Sequence, residues 1–182
     1  MGSFVKTVNV DKGRKMSDNK NFTGTNGKNI IEISTILFSS KRKIDWEGVE
    51  RYLKKYVGNK YIIEETGNTV HIGTDFPDEY ANSKDTIKSL GTIGKAKAYA
   101  AQAIPELIQS LSEIKYFPNC DEKHKSDAPN GWYRGTVHFN LPVTNDKGDI
   151  TGKNSFRGRM VIRCNAENKL YLYDMVTIKK ET

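Results

Sequence analysis

Two kinds of hydrophobic spacing divide the chain, and the first has a period near 3.6. In KIDWEGVERYLKKYV, Trp46, Val49, Leu53 and Tyr56 recur at helical intervals and form one apolar stripe. Asp45 stands just before the stripe and predicts an N-cap, its carboxylate accepting a backbone N–H that the first turn leaves unpaired. Ile44 and Val49 occupy the two positions of a hydrophobic staple. A second helix is predicted over GKAKAYAAQAIPELIQSLSEI, with Ala98, Ala101, Ile104, Leu107, Ile108 and Leu111 on its buried side. Pro105 either kinks that helix or opens another one, at a first turn where its missing N–H costs nothing.

The second spacing has a period of two. WYRGTVHFNLPV, FRGRMVIRC and KLYLYDMVTIK alternate or are rich in β-branched and aromatic residues, and NDKGD and NAEN separate them. Three strands joined by short polar turns predict an antiparallel meander. KYIIEE and NTVHIGT read as two further strands around a Thr-Gly-Asn turn, and IIEISTILF as a strand or a short buried segment. FPDEYANSKDT reads as an acidic, turn-rich connection. Residues 1–28 hold too few apolar groups to offset the entropy of ordering and are expected to be flexible. The expected architecture is a single α+β domain over residues 29–182, with helices packed on one face of a curved antiparallel sheet.

Composition narrows the function classes. With 182 residues, 36% hydrophobic, one core under a very polar surface is expected. No run approaches the roughly 20 apolar residues of a membrane span. MGSFVKTV lacks the apolar run of a secretory signal, so a cytoplasmic location is expected. Cys120 and Cys164 make no disulfide framework and fit reduced thiols there, although one bridge between them stays open. The net charge of +7 favours polyanionic partners, nucleic acid first. The charge gathers where the sheet is predicted: Lys153, Arg157, Arg159, Arg163, Lys169, Lys179 and Lys180 face only Glu167, Asp174 and Glu181.

Strict alternation puts Val137, Phe139 and Leu141 on the core side of the first long strand, and Arg134, Thr136, His138 and Asn140 on the other. Arg159 and Arg163 share a side in the next strand, and Tyr171, Tyr173, Met175 and Thr177 in the last. Side by side these predict a basic floor with aromatic members, suited to phosphates and stacked bases. His124, in the charged loop before the first strand, would overhang it. Lys95 and Lys97 stand near a helix N-terminus, an end that attracts anions. The chemistry this suits is phosphodiester cleavage without a metal, because a histidine can carry the proton and arginines can meet the charge on phosphate. No Cys/His spacing and no carboxylate pair suggests a metal site, and no cofactor is expected.

DWEGVERYLKKYVG, DFPDEYANSKDT, GKAKAYAAQAIPELI, KHKSDAPNGWYRGTVHFNLPV, SFRGRMVIR and LYLYDMVTIKKET together resemble a domain found in phage and mobile-element polyproteins of Firmicutes. That domain belongs with the barnase–EndoU–colicin–RelE-like nuclease group, and the resemblance spans roughly residues 30 to 182. It implies helices followed by a curved antiparallel sheet, and a metal-independent endoribonuclease, often a toxin, with its site on the concave sheet face. Carried onto this chain, it implies His124 as acid/base, with Ser126 orienting it or the phosphate. Arg134 and Arg163 would hold phosphate and Tyr171 would position substrate, with Tyr133, Asp174, Lys179 and Lys97 the other matching positions. Thr136, Arg159 and Thr177, placed on the floor by alternation and not by the resemblance, are expected to contact RNA beside them. The resemblance also implies the cytoplasm of a bacterial host cell. An immunity or carrier protein is an implied partner. Departures are Cys164 after VIR, where many relatives carry histidine, KAYAA in place of KANAA, and WYRG in place of WYRY. The alternative is a non-catalytic basic module that binds nucleic acid or a host protein.

Overall fold

The protein is described by a computed structural model covering residues 20–23, 29–34, 37, 38 and 43–181. In chain order the elements are β1 (Lys20–Thr23), β2 (Asn29–Glu32), α1 (Trp46–Leu53), β3 (Lys60–Ile62), β4 (Thr69–His71), α2 (Phe76–Asn82), α3 (Lys84–Lys88), α4 (Gly91–Ala100), α5 (Ile104–Gln109), β5 (Ser112–Phe117), β6 (Trp132–Thr144), β7 (Ile150–Cys164) and β8 (Leu170–Glu181). β1 lies inside the segment expected to be flexible, and the remainder of residues 1–28 falls outside the described residues.

The fold is mixed α+β with a strongly curled, half-barrel sheet. The strand order is β1-β2-β6-β7-β8-β4-β3, with β5 also pairing β6. β6 with β7 and β7 with β8 are antiparallel, but β2 joins β6 in parallel and β4 joins β8 in parallel. The sheet is therefore mixed, and the antiparallel meander predicted from the C-terminal strands is corrected. Short strands from the first half of the chain extend both edges, and three or four residues of pattern carry no information about pairing direction.

Local chemistry accounts for the helices. Asp45 caps α1, its Oδ1 accepting from the Gly48 N–H at 2.9 Å. Pro105 sits in the first turn of α5 and opens it, after a short 3₁₀ turn from α4. The predicted second helix stops earlier than its periodicity suggested, and SEI enters β5 instead. FPDEYANSKDT, read as a turn, forms α2 and α3. Pro77 starts α2, Phe76 and Tyr80 face the core one turn apart, and Ser83 ends α2 and caps α3 through the Thr86 N–H. Ala96, Ala98, Ala100, Ala101 and Ala103 are all buried, which lets this backbone approach the sheet closely. Gly135 serves the same end: a Cβ there would collide with Leu111.

The core lies between the helices and one sheet face. Val137 and Phe139 from β6, Phe156, Met160 and Ile162 from β7, and Leu172 and Met175 from β8 pack against Val49, Leu53, Phe76 and Leu107. Phe139 and Phe156 are cross-strand partners with stacked rings, centroids 5.5 Å apart. Among the described residues no helix is long and apolar enough to cross a membrane.

Phe139→Ala removes the buried ring at the centre of the longest strand pair, and a loss of about 3–5 kcal/mol in urea unfolding is expected. Ile87→Ser, at a side chain that is 71% exposed, should stay within about 0.5 kcal/mol of the parent. Equal effects at the two positions would contradict this placement of the core.

Candidate functional site

Two irregularities in β8 decide which side chains reach the outer sheet face. Ile162 pairs with Leu172 but Val161 pairs with Asp174, so Tyr173 is an extra residue on β8. Arg159 pairs with Val176 and Arg157 with Lys179, which inserts a second extra residue where Thr177 has a φ of 54°. Each bulge reverses the alternation. Tyr171, opposite Arg163, is on the outer face while Met175 is in the core. The shared side predicted for Tyr171, Tyr173, Met175 and Thr177 is thereby corrected.

On that outer face, Trp132, Arg134, Val161, Tyr173, Asp174 and Val176 line a cavity of about 520 Å3. Residues 117–121 and His124, from the connection between β5 and β6, supply its wall. The aromatic groups brace one another. The His124 ring meets Trp132 edge-to-face at 5.3 Å and Tyr173 at 5.8 Å, and Trp132 meets Tyr173 at 5.0 Å. Such contacts contribute about 0.5–1.5 kcal/mol each beyond burial. Trp132 Nε1 donates to Asn119 Oδ1 at 3.4 Å, and the Arg134 guanidinium lies 4.9 Å from the Phe117 ring. Burial, with Glu79 accepting from its hydroxyl, pushes the Tyr173 phenol well above its ordinary range, so it stays neutral.

The sequence-predicted residues separate into groups. His124 and Arg134 share the cavity. Arg159 and Lys179 are exposed, and with Arg157 beside them they continue a basic stripe away from it; none has a carboxylate partner among the described residues. Alternate residues on β7 place Arg157 and Arg159 roughly 6.6 Å apart. Arg163 is committed elsewhere. Its Nε lies 3.4 Å from Asp75 Oδ2, and its guanidinium sits 4.4 Å from the Tyr171 ring, which also packs on His71 at 5.3 Å. Arg163 and Tyr171 therefore support each other rather than line the cavity. Ser126 is exposed and donates to Asp127 Oδ1 at 3.4 Å. Tyr133 is on the core side, against Tyr116, because alternation sends it opposite to Arg134. Thr136 is buried and Thr177 is exposed on its bulge. His138 is buried with Nδ1 3.3 Å from Glu181 Oε2.

Lys97 is a correction to the reading as an RNA ligand. It is fully buried, and its ammonium bridges Asp174 Oδ1 at 2.9 Å and Asp85 Oδ2 at 3.2 Å. Sequence alone could not place those carboxylates, which lie 12 residues before it and at a distant bulge. Asp174 also accepts from the Met175 N–H at 2.8 Å. Burial outweighs Lys97 and pushes the Asp174 carboxyl up to about 6. Sequence reasoning passed over Trp132, whose signal was its place two residues before Arg134 on the same strand side; Tyr173, expected on the aromatic floor, does line the cavity. Cys120, on the cavity wall, and Cys164 are both free thiols. Among the described residues no group of three or more His, Cys, Asp or Glu side chains is placed to hold a metal ion.

Two outcomes follow from the buried ion pair. Lys97→Met strands two carboxylates and should cost about 3–5 kcal/mol in denaturant unfolding, whereas a surface phosphate ligand would cost almost nothing. Asp174 has a folded-state pKa above its ordinary 3.8, so its stabilising proton is in place at low pH and lost as pH rises towards 6. The stability of the parent minus that of Asp174→Asn should therefore fall between pH 4 and 6, by at most about 1.4 kcal/mol per pH unit. A difference that grows over that window would show that Lys97, not burial, dominates. Comparison with protein-family models, with curated proteins and with solved structures finds no match.

Proposed function

We propose that the cavity cleaves single-stranded RNA by transesterification without a metal. The observation that carries this reading is the placement of one imidazole, one guanidinium and three aromatic rings around a single cavity, continuous with a stripe of uncommitted cations. The volume suits a nucleotide unit. A base stacks against Trp132 or Tyr173, and the following phosphates run along Arg159, Arg157 and Lys179. Arg134 donates to the non-bridging oxygens, where charge builds as the 2′-oxygen attacks phosphorus. His124 takes the 2′-hydroxyl proton through Nε2, the ring nitrogen not turned towards Asp127. The P–O5′ bond breaks, the 5′-oxygen takes a proton from water at the cavity mouth, and the products are a 2′,3′-cyclic phosphate and a 5′-hydroxyl. The resemblance to the phage and mobile-element nuclease group agrees with this chemistry and makes an immunity or carrier protein the natural inhibitor.

One observation favours a second reading, a basic module that binds RNA without cutting it. Lys97 and Arg163 are spent on carboxylates, and His124 is the only imidazole in the cavity.

Labelled single-stranded RNA incubated in EDTA separates the two. The parent should release fragments ending in a cyclic phosphate, and His124→Ala should cut at least about 100-fold more slowly. Intact RNA, or fragments that require added magnesium, would refute the cleavage reading. Retention of intact RNA with a salt slope near −3, about −0.7 for each of four cations, supports the binder.

A further inference from the structure

The geometry points to Asp127 as a positioning residue that, itself fixed by Arg163, holds His124 with Nδ1 protonated and Nε2 free to react. This rests on the reading of the cavity as a cleavage site. His124 Nδ1 is buried and makes no hydrogen bond among the described residues. The group that faces it is Asp127 Oδ2, 3.7 Å away. Movement of about 1 Å closes that gap to a hydrogen bond, and catalytic contacts of this kind commonly tighten only when substrate binds.

The other groups around the ring do not compete for Nδ1. Trp132 and Tyr173 meet it edge-to-face, and the Tyr173 hydroxyl is given to Glu79. Lys125 pairs with Glu122 at 3.6 Å. Ser126, expected to orient His124, instead holds the second Asp127 oxygen.

Asp127 is exposed, yet its backbone is pinned. The Ala128 N–H donates to the His124 carbonyl at 2.9 Å, and the Ala128 side chain is completely buried. Arg163 Nη1 donates to the Asp127 carbonyl at 3.4 Å, while Asp75 and Tyr171 hold the guanidinium from the other side. Asp75, Arg163 and Asp127 thus form a chain that ends at the imidazole. Which ring nitrogen carries the proton is set by the partner of the other. A carboxylate at Nδ1 therefore selects the tautomer whose Nε2 has a free lone pair. The arginine that the sequence offered for phosphate acts here through the loop that carries the base.

The test reads the tautomer directly. Carbon-bound ¹⁵N–¹H correlation spectra of ¹⁵N-labelled protein, with His124 identified by its absence in His124→Gln, should show neutral His124 protonated at Nδ1. Asp127→Ala, at an exposed side chain that spares the fold, should lose that preference. It should also lower kcat on RNA by about tenfold or more, since orientation is part of the acid/base contribution. KM should stay within about twofold. Asp127→Glu should restore most of both. A parent ring protonated at Nε2, or an Asp127→Ala variant with unchanged tautomer and kcat, overturns the inference. A parent that shows the Nδ1–H tautomer and loses it in Asp127→Ala, but cuts no RNA, upholds the positioning and sinks the cleavage reading instead.

Discussion

An ammonium group with no access to water ties the two halves of this molecule together. Lys97 projects from α4, and its charge is met by Asp85 on α3 and Asp174 on β8. Three elements of separate sequence origin thereby converge on one atom. A buried ion pair of this kind adds little net stability compared with apolar packing, but it fixes geometry, because either partner left alone is costly. Here it fixes the bulge of β8. Asp174 is held by Lys97 where it borders the cavity, and Tyr173, the extra residue, stands on the outer face beside Trp132 and His124.

The site is built outward from that bulge. β6 and β7 supply a regular floor, and regularity alone would give a flat basic sheet. The bulged Tyr173 and the connection between β5 and β6 turn the floor into a cavity with an aromatic corner. His124 is held by ring contacts on the inside and by the 124–128 loop on the outside. The cations then divide by duty. Lys97 and Arg163 support structure, and Arg134, Arg157, Arg159 and Lys179 remain available to an anionic strand.

Much of this was legible in particular residues. The stripe of Trp46, Val49, Leu53 and Tyr56 identified α1 with its Asp45 cap, and the alternation in β6 placed Val137, Phe139 and Leu141 in the core. Both signals are local, and local periodicity records burial faithfully. His124 and Arg134 were also found together, because one precedes and the other begins the same strand. What escaped was non-local or aperiodic. A bulge adds one residue without any mark in the pattern, so the face assignments along β8 failed after Tyr173. Parallel pairing of β2 and β4 depends on strands far apart in sequence. A lysine near a helix start looks like an anion ligand until a carboxylate from a distant strand is seen beside it. Helices α2 and α3 were hidden by the very residues that start and stop them, Pro77 and Ser83, which also mark turns.

The central claim is that the outer cavity receives a phosphodiester between His124 and Arg134. A crystal structure with a single-stranded oligonucleotide that lacks the attacking 2′-hydroxyl at one position tests it most directly. The account predicts one phosphate within hydrogen-bond distance of the Arg134 guanidinium and His124 Nε2, with the adjoining strand along Arg159 and Arg157. An oligonucleotide bound on another face, with water filling the cavity, would contradict it.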